Sequence, residues 1–168
     1  MDSIRIFGYK SFKKLSVQLH PINLLIGANG AGKSNFLSLF EMLGNIYEKR
    51  LGAYVAQVGG VDKLLYQGRK VTDRIAVSLL IAKSEYDLAL LESDGKLIVE
   101  REAIGCYDDV CPLDLVRKNV ITEYQSESSL KDHKEEDLSN YISQIRKFHF
   151  HDTGRRSPFT ADSHIVND

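Results

Sequence analysis

Ile22-Asn23-Leu24-Leu25-Ile26-Gly27-Ala28-Asn29-Gly30-Ala31-Gly32-Lys33-Ser34-Asn35 decides how the rest of the chain is read. Residues 22–26 are apolar at every position but Asn23, the pattern of a strand covered on both faces and central in its sheet. From Lys33 to about Tyr47, Phe36, Leu39, Phe40, Leu43, Ile46 and Tyr47 recur at steps of three and four, which predicts an amphipathic helix. Between them, residues 27–34 satisfy GxxxxGK[ST] in the strand–loop–helix context that the motif requires. Each position has a physical reason. Gly27, Gly30 and Gly32 permit torsions and close approach that a Cβ forbids, so that amide N–H groups, including those of Asn29 and Ala31, turn inward around an anion. The helix start adds unpaired N–H donors and the positive end of its dipole. Lys33 supplies a flexible point charge for the β and γ phosphates of a nucleotide, and the Ser34 hydroxyl suits Mg²⁺. ATP with Mg²⁺ is therefore the expected ligand.

Outward from this loop, residues 4–7 and 15–19 read as a hairpin at a sheet edge, with Leu15, Val17 and Leu19 alternating against Ser16 and Gln18. The glycine-rich stretch 52–60 reads as a coil connector. From Arg74 the period becomes two. Ile75, Val77, Leu79 and Ile81 share one face, and Tyr86, Leu88 and Leu90 share the next. Asp94-Gly95 then predicts a type I′ hairpin over residues 84–102. Residues 103–130 read as irregular, with a helical turn near 113–118. Ser128 or Ser129 would cap a helix running to about Lys147, its acids near the start and Arg146 and Lys147 at the end. The charge run 131–137 then reads as a solvated first turn, 148–151 as a short strand and 154–168 as a polar tail.

The 168 residues suit one domain. The composition, 43% hydrophobic and 27% charged, excludes a disordered chain. Lys and Arg number 22 against 23 Asp and Glu, so no global positive field is available to hold a polyanion. Cys106 and Cys111 are too few for a disulfide framework and read as thiols. Asp2 and Arg5 stand where a secretory signal needs an apolar core, and no apolar run approaches the ~18 residues of a membrane span. A cytoplasmic location away from membranes is expected.

The segment Ile4-Arg5-Ile6-Phe7-Gly8-Tyr9-Lys10-Ser11-Phe12 followed by residues 22–35 resembles the N-terminal half of an ABC-type ATPase head of the RecF and SMC kind. Gly59-Gly60, Glu100-Arg101-Glu102 and Phe148-His149-Phe150-His151-Asp152-Thr153 resemble bacterial ATPases of that superfamily related to anti-phage defence systems. The resemblance implies an α/β fold: a P-loop, ABC-head-like lobe with a mixed sheet and an antiparallel insertion at 70–105, an incomplete domain in which 1–50 carry the strands, loop and helix. It implies that Lys10 and Ser11 lie beside the nucleotide base or phosphates, that Asn35 supports the loop or the Mg²⁺ shell, and that Asp152 serves as a metal-side acceptor; Phe12 of the same turn is read instead as core packing. Gln67 is a second candidate for the glutamine that senses Mg²⁺ in such heads.

Two parts of such a head are not found: a Ser-Gly-Gly signature segment, and an apolar strand ending in Asp-Glu. Glu92 follows an apolar run but is trapped before a hairpin turn. The chain is therefore expected to be one lobe, completed by the C-terminal half of the same head or by another protomer, and poor at hydrolysis alone. The resemblance also implies a DNA or nuclease partner. In the sequence itself Lys10, Lys13 and Lys14 form a local basic cluster, read as a solvated hairpin turn rather than a nucleic-acid contact. A non-catalytic, nucleotide-dependent regulatory module and a small P-loop kinase are the other readings of the same loop.

Overall fold

The computed structural model describes residues 1–82, 84–106, 117–133 and 136–145. Six strands form a single sheet in the order β2-β1-β3-β4-β5-β6. β1 (Ser3–Tyr9) and β2 (Phe12–Gln18) make the expected edge hairpin, with Ile6 opposite Leu15 and Ile4 opposite Val17. β1 also pairs with β3 (Arg74–Ile81), which pairs with β4 (Ser84–Ser93), then β5 (Lys96–Cys106) and β6 (Arg117–Gln125). Every pairing is antiparallel, so the sheet is not mixed. The strands expected as an insertion are instead the body of the sheet. Asp94 and Gly95 both adopt positive φ, 51° and 77°, as a type I′ connection between right-twisted strands demands.

One face of the sheet is covered. α1 (Lys33–Tyr47) lays Phe36, Leu39, Met42, Leu43 and Ile46 into a core shared with Ile4, Ile6, Val77, Leu79, Tyr86, Leu88 and Val99. α2 (Leu51–Gln57) replaces the expected coil: Leu51, Tyr54 and Val55 sit three and four residues apart and are buried, which outweighs the cost of Gly52 inside the helix. Among the described residues no helix is long and apolar enough to cross a membrane.

Three further expectations change. β6 occupies part of the stretch read as irregular, because its period of two is interrupted by a register shift against β5: Thr122 is buried while Val120 and Tyr124 are exposed. Arg117 and Lys118 are strand residues rather than part of a helical turn, and 107–116 lie outside the described residues. The helix expected from Ser128 to Lys147 is broken into a 3-10 turn, Leu130–Asp132, and α3 (Glu136–Ser143), with His133 extended after the turn. Lys131 and Asp132 are not merely solvated, since Lys131 pairs with Glu48 at 2.6 Å and Asp132 with Lys49 at 2.5 Å.

The largest departure concerns residues 22–26, which form no strand. Ile22, Leu24 and Ile26 are 89%, 81% and 82% exposed. A strand apolar on both faces needs a hydrogen-bonded neighbour at each edge and a covering layer. Among the described residues none lies beside this one. Asn23 instead exchanges hydrogen bonds with the backbone of His20, at 2.6 and 3.0 Å, closing a local turn.

Candidate functional site

The glycine loop 27–32 leads directly into α1, as the motif predicts. Gly30 and Gly32 adopt φ of 84° and 92°, in the left-handed region. Gly27 is not left-handed; a Cβ there would lie 3.2 Å from the Ala31 Cβ, so its role is close approach. Gly32 is the N-cap of α1, and the helix has no side-chain cap and no acid in its first turn. The first i to i−4 bond runs from the Phe36 N–H to the Gly32 carbonyl at 2.9 Å, which leaves the amides of Lys33, Ser34 and Asn35 without intrahelical acceptors. The Lys33 ammonium folds back over the loop and donates to the carbonyls of Gly27, at 2.6 Å, and Ala28, at 2.7 Å. The unpaired helix-start amides, the Lys33 ammonium and the loop carbonyls thus lie within one short stretch of chain. The donor set is N–H groups, an ammonium and the exposed Ser34 hydroxyl, which matches a polyphosphate anion and offers a divalent cation the Ser34 oxygen.

The tip of the β1–β2 hairpin docks onto this loop and helix. A Cβ at Gly32 would meet the Phe12 ring and the Ser11 Oγ, each at 3.1 Å. The Asn35 amide donates to Ser11 Oγ at 2.9 Å. The Lys10 ammonium donates to Ser38 Oγ at 2.7 Å and lies 5.4 Å from the centre of the Tyr9 ring. Phe12 is half-buried against the core, as expected. The Lys10 ammonium is drawn onto α1, whereas Lys13 and Lys14 stay exposed on β2.

Lys10, Ser11 and Asn35 line a hollow of about 940 Å³ together with Asp62, Lys63, Gln67, Arg69 and other residues of the 62–70 segment. That segment is fixed to the hairpin by backbone bonds from Lys10 N–H to the Leu64 carbonyl, 2.7 Å, and from Tyr66 N–H to the Gly8 carbonyl, 2.9 Å. Gln67, singled out from sequence, therefore stands beside the hairpin tip, with φ of 56°. Sequence reasoning missed the 62–70 wall, whose approach depends on pairing across more than fifty residues. Asp152, His149 and His151 lie outside the described residues. Glu92 is consumed by its own turn, accepting the Gly95 N–H at 2.8 Å. Among the described residues there is no group of three or more His, Cys, Asp or Glu that could hold a metal.

A strand hairpin over a glycine loop, an uncapped helix start and a lysine turned back into the loop are features suited to an anion. The chain belongs to the AAA ATPase domain family, whose model matches residues 1–153. A search of curated proteins finds no match.

Proposed function

We propose that this chain is the nucleotide-binding lobe of an ATPase of the RecF and SMC kind, taking Mg·ATP on the loop 27–34. The observation that carries this reading is the Lys33 ammonium, held 2.6 and 2.7 Å from loop carbonyls at the start of an uncapped helix. Those weak acceptors are replaceable by phosphate oxygens, whose full charges bind an ammonium more strongly. In this role Lys33 spans the β and γ phosphates and the Lys33, Ser34 and Asn35 amides face the anion. The Ser34 hydroxyl takes one Mg²⁺ position, the others falling to phosphate oxygens and water. Mg²⁺ supplies charge neutralisation on the phosphates when bound.

Phosphoryl transfer also needs a positioned water and further charge stabilisation around the γ-phosphate. We assign these to a completing segment, either the other half of the head or a second protomer. The exposed apolar stretch 22–26 supports this assignment, because Leu24 and Ile26 expose side chains that a neighbouring strand would bury. The chain alone is then a binder with negligible turnover.

Titration calorimetry with Mg²⁺ and a non-hydrolysable ATP analogue tests the reading. The parent chain binds, and Lys33→Ala abolishes binding while leaving the circular dichroism spectrum and melting unchanged. A folded Lys33→Ala protein of parental affinity would sink the assignment of the loop.

A further inference from the structure

The docking of the hairpin tip on α1 is regular. Phe12 meets Gly32, Ser11 meets Asn35 and Lys10 meets Ser38, so successive tip residues engage the helix at steps of three. Ser38 is the hub. Its hydroxyl receives the Lys10 ammonium at 2.7 Å, shares a 2.9 Å hydrogen bond with the Tyr9 hydroxyl and donates to the Asn35 carbonyl at 2.8 Å. Its own carbonyl accepts from the Tyr54 hydroxyl at 3.3 Å. Ser38 is 8% exposed, on the face of α1 that otherwise carries Leu39, Met42 and Leu43. A serine in a helix interior gains nothing in propensity, and a hydroxyl in the core costs free energy unless it is bonded. Its position is explained by the partners it collects from β1, the hairpin tip and α2. Burial pushes the Tyr9 phenol far above its ordinary range, against the opposing pull of the Ser38 bond, so Tyr9 enters the hub as a neutral hydroxyl.

We propose that Ser38 is a positioning residue of the nucleotide site: it pins the Tyr9-Lys10-Ser11 tip to the first turns of α1 and so preforms the wall of the hollow beside Gly32 and Asn35. The inference rests on the reading of loop 27–34 as the phosphate site. Ser38 is buried and is not among the residues that line the hollow. It acts by holding Lys10 and Ser11 where that wall requires them, one turn beyond Ser34 on the same helix. Preorganisation of this kind is read out in affinity, because an unpinned tip must be ordered at the moment of binding.

The test is calorimetry of the Mg²⁺–analogue complex with the full chain. Ser38→Ala is expected to raise Kd about fivefold or more, the equivalent of one net hydrogen bond, and Ser38→Thr to return it close to the parental value. Lys10→Met should raise Kd as well, and the double variant Lys10→Met/Ser38→Ala should fall short of additivity, since the two side chains share the Lys10–Ser38 contact. A purely structural serine would lower the melting temperature and leave the Kd of the folded protein unchanged. Parental affinity in folded Ser38→Ala, or full additivity in the double variant, overturns the inference. If Ser38→Ala does not fold, Tyr9→Phe removes one arm of the hub and keeps the ring; unchanged Kd in that variant overturns the inference equally. A parent chain that does not bind the analogue, or a Lys33→Ala protein that binds it as well, overturns the phosphate-site reading and this inference with it.

Discussion

Glu102 is fully buried on β5, and among the described residues its carboxylate accepts from neutral donors and pairs with no cation. The Tyr86 hydroxyl donates at 2.5 Å, the Ser128 hydroxyl at 2.6 Å and the Ser129 N–H at 2.9 Å. Burial first, and the adjoining carboxylate second, push the Tyr86 phenol well above its usual value of 10.0. Tyr9 and Tyr54 are raised too, chiefly by burial. The sign follows from proton counting. Above about pH 10 an unfolded tyrosine releases its proton while these three keep theirs, so the unfolded state binds fewer protons and stability falls as pH rises. Urea midpoints are expected to decline above about pH 10, and Tyr86→Phe should show a lower midpoint near neutrality but a shallower alkaline decline. Equal alkaline slopes in parent and variant would remove Tyr86 from that account. None of this network is legible in the sequence: Glu102 and Ser128 are 26 positions apart, and only the pairing of β4 with β5 brings Tyr86 to them. The residues of the loop 27–34 were legible, because amide geometry and a single ammonium depend on local spacing.

The elements differ in how much they depend on their neighbours. α1 matches its sequence pattern from Lys33 to Tyr47 because fifteen residues carry an unbroken apolar stripe. α2 has only seven residues, too few to be stable alone, and forms because Leu51, Tyr54 and Val55 are buried and because its start is capped from afar. The Glu127 carboxylate accepts the Leu51 N–H at 3.0 Å and approaches the Gly52 N–H at 3.5 Å. A negative charge at a helix start is doubly favourable, as a hydrogen-bond acceptor and as a partner of the dipole. Glu127→Ala is therefore expected to lower the unfolding free energy by about 1 kcal/mol, measured by urea denaturation. A change below about 0.3 kcal/mol would show that the α2 amides are satisfied without it. The flanking pairs Lys131–Glu48 and Lys49–Asp132 are exposed and add little individually. β6 escaped the sequence reading for a related reason: its register against β5 shifts between Glu102 and Ala103, so Thr122 is buried while Val120 and Tyr124, two residues away on either side, are exposed, and the regular period of two on which strand recognition depends is interrupted.

In the whole molecule, the antiparallel sheet and its helices close a core on one side, while residues 22–26 lie outside it with their apolar side chains in solvent. Exposed side chains contribute nothing to the stability of this fold. Leu24→Asp/Ile26→Asp should then change the unfolding free energy by less than about 0.5 kcal/mol and reduce binding of an apolar fluorescent dye. A loss of several kcal/mol would place the stretch in a buried strand of the isolated chain. The sequence by itself determined the loop 27–34, α1, the β1–β2 hairpin and the type I′ turn at Asp94-Gly95, since each is specified by torsion preferences or by periodicity within one short segment. The tertiary structure alone decided the antiparallel strand order, the existence of α2 and β6, the docking of the hairpin tip through Ser38 and the exposure of 22–26. Those outcomes depend on which surfaces find partners to bury against, and burial is a property of the assembled chain rather than of any window along it.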